Sequence, residues 1–116
     1  MRDPDLEIMI VAAEVKGTTT IVECRNVGPP LRPDDVLNAV YKINYIRDSE
    51  GYLPHCPRYG VTPVIYIVKK IIQYGREWNE IPSGYSCLIE LEGRKTTSLQ
   101  DGDVLGRVES QLRETV

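Results

Sequence analysis

The stretch LQDGDVLGRV at residues 99–108 repeats much of the stretch LRPDDVLNAV at residues 31–40. Leu, Asp, Val, Leu and Val agree at the same five offsets, 68 residues apart. The residues that precede the two copies are unrelated, so the chain is not built from true repeats. The shared pattern instead predicts one local structure used twice, a turn that needs a left-handed residue followed by a buried strand. Gly102 adopts that conformation freely, and Asp34 tolerates it.

The composition favours strands over helices. The 116 residues include 23 Val and Ile but only three Ala. Beta-branched residues pack well on a pleated surface, whereas Ala is the residue that helices favour most. A chain of this length fits one domain, residues 1–116 with a core at about 7–108, and it can bury enough surface to need no disulfide or metal.

Apolar and alternating segments predict most of the strands, at residues 7–15, 19–25, 64–74 and 85–92. In the last of these, alternation predicts that four side chains face the core, those of Tyr85, Cys87, Ile89 and Leu91. Residues 47–63 hold three Pro and two Gly, which predicts a long loop. Residues 75–80 are expected to form a turn, and residues 109–116 a charged tail.

Local signals leave residues 33–46 open between two structures. Pro33 followed by two aspartates could begin a helix, because proline suits the first helical turn and acids suit its positive end. The same residues could form a tight turn that leads into a strand from Val36 to Ile43.

Several motifs occur in the order found in one known barrel. They are Gly28 with Leu31, Asp34, Asp35 and Leu37; Ile81-Pro82-Ser83-Gly84; the alternating Cys87, Ile89 and Leu91 with Gly93; and Leu99-Gln100-Asp101-Gly102-Asp103-Val104-Leu105. In this order they resemble the second-domain β-barrel of translational GTPases such as elongation factor Tu. The resemblance implies an all-β fold, a mainly antiparallel barrel of about six strands, and a strand at residues 36–43.

The chain also departs from that family. Asp34 stands where the first turn usually has glycine, and no GxxxxGK[ST] phosphate loop is present. In the family, the barrel contacts aminoacyl-tRNA or the ribosome and packs against neighbouring domains. The resemblance therefore implies a protein or translation-component partner, without nucleotide hydrolysis.

Charge and composition exclude other classes of partner. The net charge is −3, and neither half of the chain is basic, so broad electrostatic binding of nucleic acid is not expected. A weak local RNA contact stays open. No apolar run could span a bilayer, and the amino terminus lacks the apolar core of a signal peptide. These features, with three scattered cysteines, predict a cytoplasmic protein with no membrane partner.

Catalytic and metal sites find little support in the sequence. His55 and Cys56 are adjacent, whereas catalytic partners usually come from distant positions. A zinc site from Cys24, His55, Cys56 and Cys87 has suitable ligand types but lacks a CxxC or HxxxH spacing. Turn chemistry accounts for the aspartates of the two echoed phrases. We therefore expect no catalysis, no cofactor and no metal.

The richest candidate surface combines the 47–63 segment with the turn at 75–80. Tyr, Trp and Arg are the usual anchors of interfaces, and aromatic rings also stack on single-stranded bases. The same aromatics could simply cover the barrel rim. The candidate partner-binding residues are Arg47, Tyr52, His55, Arg58, Tyr59, Arg76 and Trp78.

These observations predict a non-catalytic adaptor that docks onto a protein or a translation-related partner. The alternatives are an RNA-binding module that stacks tRNA or single-stranded RNA on the tyrosine-rich loop, or an immunity-type inhibitor.

Overall fold

The computed structural model describes residues 4–44, 47–48, 51–52 and 57–108, with the backbone alone at 47–48 and 51–52. His55, Cys56 and the charged tail at 109–116 lie outside the described residues. Within them the chain forms nine strands and no helix: β1 Leu6–Lys16, β2 Thr19–Asn26, β3 Val36–Ile43, β4 Arg47–Asp48, β5 Gly51–Tyr52, β6 Arg58–Gln73, β7 Arg76–Trp78, β8 Ser86–Lys95 and β9 Val104–Arg107. Among these residues, no helix is long and apolar enough to cross a membrane.

Six of the described strands close into a ring. Their order is β3-β9-β1-β2-β8-β6, and β6 pairs again with β3. Every neighbouring pair is antiparallel. The expected six-stranded antiparallel barrel is therefore confirmed, and residues 36–43 form a strand and not a helix. Strand β7 pairs with β6 outside the ring, and β4 with β5 forms a separate short hairpin.

Alternation along the strands fills the barrel interior. In β8, Cys87, Ile89 and Leu91 are buried, as the sequence predicts. The prediction for Tyr85 is wrong, because its side chain is 52% exposed. Tyr85 precedes the first residue of β8 and belongs to a turn, so the period-two pattern does not extend to it.

The two echoed phrases form the same turn, as the sequence predicts. Asp34 has a φ of 75° and Gly102 a φ of 90°. The aspartate after each, Asp35 or Asp103, accepts a hydrogen bond on its carboxylate from the N–H three residues earlier, at 2.8 Å in both copies. The same aspartate donates its own N–H back to the carbonyl of that earlier residue. Each aspartate thus closes its turn twice, which confirms turn chemistry as its role.

Each turn is also hydrogen-bonded to a neighbouring strand. In the first copy, the Asp34 N–H donates to the Val68 carbonyl and the Val68 N–H donates to the next carbonyl of the turn, at 2.7 and 2.9 Å. In the second copy, Gly102 and the aspartate after it bracket Ile10 in the same way, at 2.9 and 2.8 Å. The pairing register shifts just beyond both bracketed residues. Each copy of the echoed phrase therefore forms a turn that two backbone hydrogen bonds join to a bulged strand of the barrel.

A third turn makes the same pair of hydrogen bonds to a strand, although its sequence is different. Gly84, with a φ of 89°, donates its N–H to the Asn26 carbonyl, and the Asn26 N–H donates to the Tyr85 carbonyl, at 2.7 and 2.9 Å. The turn begins at Ile81, which forms an isolated antiparallel bridge with Leu31, the first residue of the first copy. Both of these apolar residues are fully buried.

The predicted loop at 47–63 is wrong in part. Residues 47–48 and 51–52 pair as a hairpin, and β6 already begins at Arg58. Pro63 lies inside β6 opposite Ala39, at a point where β6 has not yet begun to pair with β8. Proline is tolerated there because, among the described residues, that stretch of strand has one ladder partner and not two. The predicted turn at 75–80 is likewise largely a strand, β7, which contains Trp78.

Candidate docking groove

The hairpin between β6 and β7 projects an aromatic side chain from the barrel. Gln73 pairs with Arg76, so Tyr74 and Gly75 form a two-residue turn, and both have positive φ, 53° and 69°. This combination matches the type I′ turn that suits the twist of a hairpin. Tyr74 is therefore held at the tip of the hairpin, with its side chain 87% exposed.

An open groove of about 650 Å³ lies between this hairpin and the start of β8. Leu88 lies on the outer face of β8, 42% exposed, opposite Ile72 of β6. The Gln73 side-chain amide donates to the Ser86 carbonyl at 2.9 Å, which ties the hairpin to β8. We call this feature the docking groove; its lining residues are Glu23, Ile72, Gln73, Tyr74, Gly84, Tyr85, Ser86, Cys87 and Leu88.

The row of residues nearest the apolar centre of the docking groove is acidic at both ends, although Arg25, opposite Ser86, lies on the same outer face. The row of paired residues that crosses the outer face here reads Glu23, Leu88, Ile72 and Glu77. An apolar pair is thus flanked by a carboxylate on each side. Phosphate backbones are bound by cations, so the two carboxylates of this row would repel a phosphate placed between them.

Arg58, a predicted binding residue, is held by contacts inside the protein. Its guanidinium donates two hydrogen bonds of 2.9 Å to the two carboxylate oxygens of Glu7. The Tyr41 hydroxyl donates a third, at 2.5 Å, to the same carboxylate. The hydrogen bonds to Glu7 raise the pKa of Arg58, and burial, aided by the hydrogen bond to Glu7, raises the pKa of Tyr41. This buried cluster joins β1, β3 and β6.

The other predicted site residues are divided between the two ends of β6. Tyr59, 55% exposed, follows the first residue of β6, whereas Arg76 and Trp78 come after its last residue. The Trp78 indole N–H donates to the Gln73 carbonyl at 3.0 Å and leaves the ring 39% exposed. Tyr59 pairs with Lys42 of β3 at the start of β6, whereas Arg76 and Trp78 pair with the residues at its end, so the two groups lie at opposite ends of a 16-residue strand.

Three of the predicted residues have no described side chain. The backbones of Arg47 and Tyr52 pair across the β4–β5 hairpin. His55 lies outside the described residues. Their role in binding stays a prediction.

The interior beside the docking groove holds two cysteines. Cys24 of β2 and Cys87 of β8 are direct cross-strand partners, and their sulfur atoms lie 4.0 Å apart. The contact with Cys87, together with burial, raises the pKa of Cys24, whereas the hydrogen bond with Cys24 lowers the pKa of Cys87. The zinc and thiol-catalysis alternatives also need His55 and Cys56, which lie outside the described residues.

The sequence reasoning missed the residues that form the docking groove. The sequence patterns place Tyr74 at the end of a strand and Tyr85 in the core. Two local signals could have identified them. Tyr-Gly after an apolar run is a hairpin turn that points the ring outward. Leu88 falls on the polar side of an alternating strand, where an apolar residue is unusual.

Comparisons with known proteins agree with the fold. No protein-family model matches the sequence, and no curated protein matches it either. Two solved structures of the translation elongation factor SelB from Methanococcus maripaludis, the apo form and the complex with the GTP analogue GppNHp, are similar to it. For each, the TM-score is 0.60 at 15% sequence identity, over 90% of this chain and 19% of the SelB chain. The chain thus resembles one domain-sized part of a translation factor, and the resemblance to a translation-factor barrel is confirmed for the fold.

Proposed function

We propose that this chain is a non-catalytic docking module for a component of the translation machinery, and that it binds a protein partner through the docking groove. The observation that carries the proposal is the exposure of Tyr74, Tyr85 and Leu88 side by side on a barrel similar to a translation-factor domain. Isolated surface apolar residues are common, but tyrosines gathered around an open groove are typical interface anchors.

The composition of the docking groove supports a protein partner. Apolar surface at its centre gains free energy when a partner removes it from water. Glu23 and Glu77 at its margins select a partner that brings lysine or arginine to the rim. The proposed partner is therefore a basic protein of the translation machinery that inserts apolar side chains between Tyr74 and Tyr85.

Affinity capture from native lysate, with and without nuclease, tests this proposal. We expect translation proteins to be recovered, and to remain bound after nuclease treatment. Truncating a buried aromatic anchor costs about 2 kcal/mol or more, so Tyr85→Ala should weaken binding roughly thirtyfold. Tyr59→Ala is the matched control, because Tyr59 is 55% exposed and Tyr85 52%. Circular dichroism checks that both variants fold.

The opposite pattern of binding by the two variants would place the interface at the other end of β6. If Tyr85→Ala binds like the wild type and Tyr59→Ala does not, the partner contacts the 47–63 segment. The exposure of Tyr59 favours a second candidate there, stacking of single-stranded RNA on its ring. Lys42, opposite Tyr59 in the β3–β6 ladder, is itself paired with Asp103. Affinity for RNA should fall steeply with salt, whereas affinity for an apolar protein interface should barely change.

The absence of catalysis belongs to the proposal and has its own test. A turnover assay whose activity disappears in His55→Ala or Cys56→Ala would contradict it. The proposal also puts the protein in the cytoplasm, where translation takes place. Fluorescence localisation of the tagged chain checks that expectation.

A further inference from the structure

We propose that Cys24 and Cys87 form a reversible dithiol–disulfide pair that hydroperoxides oxidise. The two residues face each other directly across the β2–β8 ladder, with their sulfurs 4.0 Å apart. Directly opposed residues of an antiparallel pair have Cα atoms about 4.5–5.5 Å apart, within the roughly 4.4–6.8 Å that a disulfide needs. Side-chain rotation can therefore bring the sulfurs to bonding distance while both strands keep their register.

The two thiols differ in access and in acidity. Both side chains belong to the barrel core, but Cys87 as a residue keeps 7% of its surface exposed, whereas Cys24 keeps 1%. The sulfur–sulfur contact with Cys24 lowers the pKa of Cys87, which favours its thiolate. Susceptibility to oxidation follows thiolate character and access, and sensor cysteines commonly lie beside a second, resolving cysteine. Cys87 is thus the thiol that reacts first, and Cys24 is the thiol that resolves the product.

The chemistry balances with a hydroperoxide as the only oxidant. The Cys87 thiolate attacks one peroxide oxygen, so a sulfur–oxygen bond forms, the oxygen–oxygen bond breaks, and the leaving alkoxide takes a proton to become an alcohol. The Cys24 sulfur then attacks the Cys87 sulfur. The sulfur–sulfur bond forms, the sulfur–oxygen bond breaks, and hydroxide leaves as water with the Cys24 proton. Two thiols and one hydroperoxide give one disulfide, one alcohol and one water, and a small dithiol reverses the change.

Hydrogen peroxide on the folded protein tests the pair. A Cys56→Ser background removes the third thiol, and circular dichroism confirms the fold. We expect the intact mass to fall by two hydrogen atoms, and digestion to recover one peptide pair that joins Cys24 to Cys87. The cross-link should raise Tm by on the order of 10 °C, because it closes a long loop. Dithiothreitol should restore both thiols.

Single variants separate the two roles. In Cys24→Ser, dimedone should trap a sulfenic acid at Cys87; in Cys87→Ser, Cys24 should stay reduced under the same treatment. The proposal fails if both thiols of the native protein survive excess peroxide, if cross-linking occurs only after unfolding in urea, or if the product is an intermolecular dimer. Peptide mapping of the Cys56→Ser protein decides among these results even where a single variant does not fold.

Discussion

Replacing Arg58 with alanine should destabilise the barrel strongly, although arginine is usually a surface residue. The side chains of Arg58 and Glu7 are only 19% and 9% exposed, and two hydrogen bonds of 2.9 Å join them. The variant would leave the Glu7 carboxylate buried with the Tyr41 hydroxyl as its remaining donor among the described side chains. Breaking a buried ion pair typically costs about 3–5 kcal/mol. The retained tyrosine hydrogen bond places the expected loss near the lower end, at about 3 kcal/mol.

Urea unfolding followed by circular dichroism measures this loss. Arg32→Ala is the matched control, because Arg32 pairs with Glu80 at 2.6 Å but the two side chains are 68% and 40% exposed. Exposed pairs contribute about 0–1 kcal/mol, so the control should lose less than about 1 kcal/mol. A domain stable by about 5–15 kcal/mol tolerates both changes, so both proteins should remain folded without denaturant.

A double-mutant cycle isolates the pair itself. Glu7→Gln removes the charge that Arg58→Ala would leave unpaired, so the double variant should lose less than the sum of the single losses. A coupling energy of about 1–3 kcal/mol is expected for groups in direct contact. If Arg58→Ala costs no more than Arg32→Ala, and the cycle shows no coupling, then the buried cluster does not form and Arg58 is free to contact a partner.

Three further expectations follow from close approaches, backbone strain and buried protons. Gly106→Ala should lose about 2 kcal/mol in urea unfolding, because an added Cβ would lie 2.5 Å from the Tyr41 hydroxyl oxygen and 2.7 Å from the Leu6 carbonyl oxygen; a neutral result would mean that the two strands separate freely. Asp34→Gly should raise Tm, because glycine removes the strain of a left-handed φ of 75°, which costs up to about 1 kcal/mol. A lowered Tm would show that the aspartate side chain stabilises the turn by more than this strain costs. Burial raises the pKa of Tyr41, so the folded state keeps this proton above pH about 10 while the unfolded chain loses it. Stability should therefore fall with rising pH from there, and Tyr41→Phe should flatten the fall by about 1.4 kcal/mol per pH unit; an unchanged slope would contradict the assignment.

The barrel was predictable because its signals are local and redundant. Alternation in β8 and the apolar run of β6 identify strands without knowledge of their partners. Val36–Ile43 was ambiguous by itself, since Pro33 and two aspartates are suited to a helix start and to a turn. The outcome depended on tertiary contacts, namely the hydrogen bonds between the turn and Val68 of β6, and no local pattern reveals these.

The candidate site was much less predictable than the fold. Residue type correctly indicated Tyr59 and Trp78 as exposed aromatics. It could not reveal that Arg58 has a buried partner 51 positions away in the chain. Nor could it show that Tyr74 and Tyr85 meet across a groove, because that depends on how the β6–β7 hairpin lies beside the turn at Gly84. Exposure and proximity are properties of the closed ring, and composition carries little information about either.

The three turns that are hydrogen-bonded to neighbouring strands show how different sequences can form the same local structure. In the first two turns, the second residue has an N–H that points into the turn, and an aspartate carboxylate accepts it at 2.8 Å. In the third turn that position is Pro82, which has no N–H to satisfy. The aspartate is then unnecessary, and Tyr85 can occupy its place. Proline in one copy thus frees the position at which the other two copies require a carboxylate, and that freed position presents an exposed ring to the docking groove.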